Sequence, residues 1–268
     1  MHWKLFRSRL PFTASIVLIS IVALLVAGAF TLAQQGAAPG QAAPGAAAAR
    51  GGRGGPLPPA TEPRPPQNDN YANRHKGFVD IAQKGDTQLL WVGDSITDLW
   101  ANRAKDIWDK YFGPMKPANF GISGDTTQGV LWRMQNGELD GFRAKLIILM
   151  LGTNNINRND NDDIVRGDRA IIEEFKKHQP QAKVLLLGIF PRGGPPDNPY
   201  RAQIKDINSK LEKLADNKQF FYVDIADKFL TPDGTLTAEV MNDFLHPTAK
   251  GYQIWADATI GKIKELMK

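Results

Sequence analysis

The pattern of apolar and polar positions divides the chain into three parts. An uncharged apolar run covers about residues 12–33, a segment almost without large apolar side chains covers 34–66, and short apolar runs recur throughout 67–268. The short runs have the length of strands that are buried on both faces, as parallel strands between helices are. We predict five such strands, at 88–92, 118–120, 146–151, 184–190 and 220–223.

The stretches between these runs carry apolar side chains at helical spacing. Ile204, Ile207, Leu211 and Leu214, for example, line one face of a helix. We predict helices at 75–83, 99–111, 128–135, 164–178, 200–216 and 248–267. Strands that alternate with helices predict an α/β fold, a three-layer α/β/α sandwich around a five-stranded parallel sheet, with the active site beyond the carboxyl ends of the strands.

The first two parts of the chain look like a leader and a linker. Lys4, Arg7 and Arg9 precede the apolar run, which predicts either a cleaved signal peptide or an uncleaved membrane anchor at 1–33, and export to the periplasm or the extracellular space. Residues 34–66 contain nine Ala, seven Gly and eight Pro. Such a segment buries too little apolar surface to offset its ordering entropy, so we predict a disordered tether before a domain at 67–268.

Charge and composition exclude several classes of function. The net charge of +5 arises in residues 1–66, whereas 67–268 hold 27 basic and 27 acidic residues. A neutral domain gives no support to electrostatic binding of nucleic acid. The chain has no cysteine, which removes disulfides, thiolate metal sites and cysteine nucleophiles. We also find no metal-ligand spacing, so we predict no metal and no organic cofactor.

Two polar segments follow the first two predicted strands. In 93–98, Ser95 at a strand-to-helix turn presents a hydroxyl and a backbone N–H, although Asp94 or Ser95 could equally cap the helix. In 119–127, Gly124 lets a backbone N–H approach a reacting atom. The alternative for this second segment is a tight turn that caps the next helix.

Two further segments complete the set of candidate residues. Asn154, after the third strand, can donate a side-chain amide into the crevice, although Asn-Asn is also common in turns. Asp243 and His246, before the last helix, can converge so that the carboxylate orients the imidazole. Asp224 and Asp227 are alternative acids for that role.

In chain order the four segments resemble conserved blocks of the GDSL, or SGNH, hydrolase superfamily. The resemblance covers about residues 75–268, and the catalytic subunits of intracellular platelet-activating-factor acetylhydrolase are particularly similar at 119–139, 152–155 and 243–251. It implies a flavodoxin-like fold. By motif position it makes Ser95 the nucleophile, Asp243 and His246 the rest of a triad, and Ser95, Gly124 and Asn154 the oxyanion donors. Ile96, Thr153 and Leu245, which flank these residues, correspond to the acyl pocket.

Together these features predict an exported serine esterase that hydrolyses short-chain, acetyl esters of a carbohydrate or lipid alcohol. Its partners would be a small-molecule or glycan ester and, through the N-terminal segment, a membrane; the resemblance adds a homodimer. Ser123 departs from the subunits' motif, which has a glycine there, and the leader departs from their intracellular location. The alternatives are an O-acyltransferase on the same triad and a non-catalytic glycan-binding module.

Overall fold

The computed structural model describes residues 55–268, so the leader predicted at 1–33 and most of the predicted tether lie outside it. Its centre is a sheet of five parallel strands in the order β2-β1-β3-β4-β5. The strands are β1 Leu89–Gly93, β2 Pro117–Gly121, β3 Leu146–Met150, β4 Lys183–Leu187 and β5 Phe220–Val223. All five predicted strands are confirmed, with ends that differ by a few residues.

Helices follow the strands along the chain. They are α1 Asp69–Gln83, α2 Ser95–Asp98, α3 Trp100–Arg103, α4 Lys105–Tyr111, α5 Thr127–Gln135, α6 Asn161–His178, α7 Pro199–Leu211 and α8 Ala249–Leu266. Short 3₁₀ turns lie at Gly113–Met115, Glu212–Leu214 and Ala226–Phe229. Within residues 55–268, no helix combines the length and the hydropathy that crossing a bilayer requires.

The sheet is covered on both faces. Alternate residues of β1 enter different hydrophobic clusters: Leu90 and Val92 pack with side chains of α1, α5, α6 and α7, whereas Leu89 and Trp91 pack with side chains of α4 and α8. Successive side chains of a strand point to opposite faces, so each face contributes to its own core. The predicted three-layer α/β/α sandwich is therefore confirmed.

Two helices differ from their predicted bounds for local reasons. Helix α1 begins six residues before the predicted start at 75, because the Asn68 side chain caps it by accepting a hydrogen bond from the Tyr71 N–H at 2.9 Å. The helix predicted at 99–111 is broken into α3 and α4. Ala104, with φ −154° and ψ 39°, leaves the helical region between them.

The last part of the predicted tether is ordered, which corrects the expectation of disorder for residues 57–64; residues 34–54 lie outside the described part of the chain. Residues 57–64, which we call the strap, lie on the domain. Ala60 is fully buried and its N–H donates to Asp163 Oδ2 at 2.9 Å, while the Arg64 N–H donates to the Gln128 carbonyl oxygen at 3.0 Å. The strap has few apolar side chains to bury, which is why its composition indicates disorder, but it is held mainly through its backbone polar groups.

Candidate active site

Three of the four predicted segments meet at one edge of the sheet. Strand β1 lies between β2 and β3, and the register aligns Gly93 with Gly121 on one side and with Met150 on the other. The three strands therefore end level with one another. The loops that follow them carry Ser95, Gly124 and Asn154 to the same carboxyl-end crevice, as predicted for a parallel sheet.

The turn after β1 places Ser95 at the start of α2. Asp94 is fully buried and caps this helix, since its Oδ1 accepts a hydrogen bond from the Ile96 N–H at 2.9 Å. Helix α2 packs directly on the end of β2, where a Cβ on Gly121 would lie 2.3 Å from the Asp98 nitrogen. The capping role and the presentation of the Ser95 hydroxyl, which the sequence left as alternatives, therefore coexist.

The side chains of Ser95, His246 and Asp243 form a continuous line of contacts. Ser95 Oγ lies 2.8 Å from His246 Nε2, and His246 Nδ1 lies 2.7 Å from Asp243 Oδ2. With its proton on Nδ1, the imidazole donates to Asp243 and accepts from the serine hydroxyl. Burial alone would raise the pKa of Asp243, but hydrogen bonds from the His246 side chain and backbone N–H lower that pKa below its usual range.

Two residues that the sequence did not single out hold the loop of His246 and the helix α8 that follows it against the region of Ser95. The Arg103 guanidinium donates to the carbonyl oxygens of His246 at 3.3 Å and Pro247 at 3.0 Å. The Tyr252 hydroxyl, on α8, donates to the Ile96 carbonyl oxygen at 2.7 Å. Both residues act across about 150 positions of sequence, so no local spacing signals them.

The two other candidate oxyanion donors lie on adjacent loops. Gly124 has φ +84°, and the space that a Cβ would occupy there is open. Asn154 Nδ2 donates to the Asp125 carbonyl oxygen at 2.8 Å, and the amide carries a second hydrogen. Ser123, which stands where the similar subunits have a glycine, donates from its N–H and its hydroxyl to Asp98 Oδ2 at 3.2 and 2.7 Å. These bonds fix the loop of Gly124.

The three predicted acyl-pocket residues differ in exposure. Ile96 is 1% exposed and packs in the core on the α8 side of the sheet, and Thr153 is also 1% exposed. Neither side chain therefore offers open surface to an acyl group in this structure. Leu245 is half-buried beside His246 and remains the candidate wall.

The alternatives to this triad gain no geometric support. Asp224 Oδ2 accepts hydrogen bonds from Asn208 Nδ2 at 2.9 Å and from the Tyr222 hydroxyl at 3.2 Å. Among residues 55–268, Asp243 is the acid that contacts the His246 imidazole. Over the same residues, no group of three or more His, Asp or Glu side chains is arranged to hold a metal ion.

Two buried carboxyl groups, Asp94 next to Ser95 and Asp168 on α6, take no part in the contacts between Ser95, His246 and Asp243 and are not fully paired. Burial raises the pKa of Asp94 to about 7, an effect that the Ile96 N–H opposes and the nearby Asp125 reinforces. Burial and the charge of Asp94 also raise the pKa of Asp168, and neither Asp168 oxygen has a hydrogen-bond partner in the described part of the chain. A buried carboxyl without partners favours its neutral form.

We expect Asp94→Asn to increase the free energy of unfolding at pH 8 by at least about 1 kcal/mol and to have little effect near pH 4. The pKa of Asp94 is higher in the folded than in the unfolded state, so the protonated side chain contributes its full stability at pH values below the unfolded-state pKa. That contribution is lost as the pH rises towards about 7. Asparagine keeps the cap to Ile96 without ionising. Urea unfolding across this pH range measures the effect, with exposed Asp109→Asn as the control; a variant effect that does not vary with pH would contradict the prediction.

Comparisons with known proteins agree with the geometry. The profile of the GDSL-like lipase/acylhydrolase family matches residues 91–254. Platelet-activating factor acetylhydrolase IB subunit alpha2 of Homo sapiens is 39% identical over 189 residues, which cover 69% of this chain and 80% of that subunit.

Solved structures share the fold at lower identity. A GDSL-like lipase from Bacteroides thetaiotaomicron superposes with a TM-score of 0.59 at 22% identity, covering 73% of this chain and 98% of that one. The acetyl xylan esterase AlAXEase superposes with a TM-score of 0.57 at 21% identity, covering 66% and 99%. The chain therefore belongs to the GDSL-like lipase/acylhydrolase family and is a carboxylic ester hydrolase.

Proposed function

We propose that the chain hydrolyses short-chain esters, acetyl esters above all, with Ser95 as nucleophile, His246 as general base and Asp243 as the acid that orients it. The observation that carries the proposal is the unbroken line of contacts from Ser95 Oγ through His246 to Asp243, at 2.8 and 2.7 Å. A nucleophile within hydrogen-bond reach of a base that a third group orients is the arrangement that acyl transfer requires.

In the proposed reaction, His246 removes the Ser95 proton while Oγ attacks the ester carbonyl carbon. The tetrahedral intermediate collapses when the protonated His246 gives its proton to the leaving alcohol, and an acyl-serine remains. Water, activated by the same imidazole, then releases the carboxylic acid and restores the serine. Asp243 stays ionised throughout, in line with its lowered pKa, and stabilises the imidazolium.

The negative charge on the carbonyl oxygen would be met by the Ser95 N–H, the Gly124 N–H and the Asn154 side-chain amide. Donors that are fixed in advance are effective because they need no reorganisation as the charge develops, and one such donor is worth about 3–4 kcal/mol. The bond from Asn154 to the Asp125 carbonyl and the bonds from Ser123 to Asp98 provide that fixation.

Different observations support the proposals for the acyl part and for the alcohol part of the substrate. A short acyl group is supported by the burial of Ile96 and Thr153, whose side chains offer no surface for a longer chain to contact, and by Leu245 next to the base. Names of similar proteins include an acetylhydrolase and an acetyl xylan esterase, so the alcohol is proposed to be a lipid or a carbohydrate hydroxyl.

A series of nitrophenyl esters tests the acyl preference. We expect kcat/KM to fall at least about tenfold from acetyl to octanoyl, because added methylenes must displace packed side chains at roughly 1–3 kcal/mol. An open pocket would instead gain up to about 0.8 kcal/mol for each methylene. Leu245→Ala should flatten the decline by making space, whereas Leu230→Ala, at another half-buried position, should not.

A wild-type optimum at eight carbons or longer would contradict the short-acyl proposal and indicate a lipase-like enzyme. The same measurement on acetyl-xylan and on an acetylated phospholipid then separates the two classes of alcohol. Product analysis with added sugars detects an acyltransferase, since transfer would place the acyl group on the sugar rather than on water.

Export is also part of the proposal, with attachment to a membrane if residues 1–33 are retained. Its support is the basic flank and uncharged apolar run of the leader, a pattern that directs the following chain across a membrane. A homodimer stays a prediction that rests on the resemblance alone.

A further inference from the structure

A network of buried amide side chains supports the loop that carries Asn154. Its centre is Asn155, the next residue in the chain, which is fully buried. Asn155 Oδ1 accepts from the Thr127 N–H at 3.1 Å, and its Nδ2 lies 3.0 Å from Gln128 Oε1 and from Asn159 Oδ1. These contacts connect the loop to the first turn of α5.

The strap closes this network from the outside. The Pro58 carbonyl oxygen accepts hydrogen bonds from Gln128 Nε2 at 2.8 Å and from Asn159 Nδ2 at 3.0 Å. Asp163 Oδ2 accepts from the Ala60 N–H at 2.9 Å and also from Asn159 Nδ2 at 2.8 Å. The two amides that hold Asn155 are therefore themselves held by the strap.

Loss of the strap would affect the chemistry through this network. The side-chain amides of Gln128 and Asn159 would lose their shared acceptor, the Pro58 carbonyl oxygen, so their orientation towards Asn155 would no longer be fixed from the outside. Asn155 would then lose its fixed partners, and Asn154 would move with it. A displacement of about 1 Å in a catalytic group can reduce the rate about a hundredfold.

We propose that the strap is a positioning element of the active site: through Gln128, Asn159 and Asp163 it fixes the loop that presents the Asn154 amide to the oxyanion. This inference rests on the proposed function, since it takes Asn154 as an oxyanion donor. The strap itself touches no reacting atom. The strap, which composition assigns to the tether, is therefore one of the parts of the chain that determine kcat.

Two substitutions in the full chain displace the strap in different ways. Ala60→Arg places a long side chain where Ala60 is fully buried, so the strap must lift while every residue of the Asn154 loop is retained. Asp163→Ala removes only the carboxylate, and it carries the test if the first variant does not fold. We expect each to lower kcat at least about tenfold and to change KM less than about twofold, because an oxyanion donor acts in the transition state.

Two further variants separate positioning from general damage. Asp163→Asn keeps an oxygen that can accept from Ala60 and Asn159, so it should restore most of kcat. Asp162→Ala removes the neighbouring exposed carboxylate, which pairs with Lys210 rather than with the strap, and should match the wild type.

A double-variant comparison tests whether the strap acts through Asn154. If it does, adding Ala60→Arg to Asn154→Ala should lower kcat less than about twofold further, since the donor is already missing. Losses that multiply in the double variant would overturn the proposal. Full kcat in Ala60→Arg, with the exchange of the Ala60-region amides showing that the strap has lifted, would overturn it as well.

Hydrogen exchange gives a second measurement that needs no turnover. The backbone N–H of Asn155 donates to the Gly152 carbonyl oxygen at 2.9 Å, and the backbone N–H of Asn159 donates to the Asn155 carbonyl oxygen at 3.0 Å. Both backbone hydrogens should exchange at least about tenfold faster in Ala60→Arg. Amides of β3 should not change. If wild type turns over no ester, the proposed function fails while exchange still decides on the strap; unchanged exchange at these two amides overturns the proposal.

Discussion

Replacing Ser95 or His246 by alanine is expected to lower kcat by about 10³-fold or more, and the double variant should be little worse than either single variant. The two side chains share one proton-transfer step across the 2.8 Å contact between Oγ and Nε2, so removing either group disables the same step. Asp243→Asn should lower kcat by the same factor as His246→Ala or by less, since it leaves the base in place but disturbs its tautomer.

Acetyl-ester turnover with each purified variant measures this effect. His178→Ala is the matched control, because His178 is partly exposed and pairs with Asp140 away from the crevice. The control should retain wild-type kcat. Losses that multiply in the Ser95→Ala/His246→Ala variant would contradict a shared step, and a near-wild-type rate for Asp243→Asn would move the acid role elsewhere.

The second large effect is expected on stability. Arg133 is fully buried and its guanidinium pairs with Asp125 at 3.0 Å and with Glu138, while Nη2 donates to the Phe120 carbonyl oxygen at 3.1 Å. We expect Arg133→Met to lower the free energy of unfolding by about 3–5 kcal/mol, because it leaves two buried carboxylates without their cation. The attraction of those carboxylates raises the pKa of Arg133 against the lowering effect of burial.

Urea unfolding at pH 7 measures the loss of stability caused by Arg133→Met. Adding Asp125→Asn and Glu138→Gln should recover much of it, since neutral amides remove the uncompensated charge. Lys76→Met is the control: Lys76 pairs with Asp80 on an exposed face of α1, where an ion pair is worth about 0–1 kcal/mol. Equal destabilisation by Arg133→Met and Lys76→Met would contradict the prediction, because it would show that the buried carboxylates do not depend on the Arg133 guanidinium.

The sequence was sufficient to predict the strands of the sheet and the edge of the sheet at which the candidate site lies. Buried parallel strands leave a strong local signal, a continuous apolar run, and their carboxyl ends meet at one edge whatever the details of the loops. Ser95, Gly124, Asn154 and the loop of His246 could therefore be assigned to one crevice before any distance was known.

Features that depend on distant partners could not be predicted in this way. The composition of residues 57–64 indicates disorder, because the polar partners that order the strap lie on α5 and α6. A charged residue such as Arg133 has the same local pattern as an exposed one until the two carboxylates beside it are known. Ile96 adjoins Ser95 in sequence, yet its side chain packs in the core on the α8 side of the sheet and offers no open surface to an acyl group.

If Ser95 is the nucleophile and His246 the base, as proposed, their distance in sequence determines when the enzyme becomes active. Ser95 and His246 are 151 positions apart, and Arg103 and Tyr252 hold the two regions together. A nascent chain that has formed only the turn after β1 therefore carries an inert serine, and catalysis begins when α8 docks. On the proposed mechanism the serine is latent during synthesis because its base has not yet arrived, and the onset of ester hydrolysis in a refolding experiment would time the docking of α8.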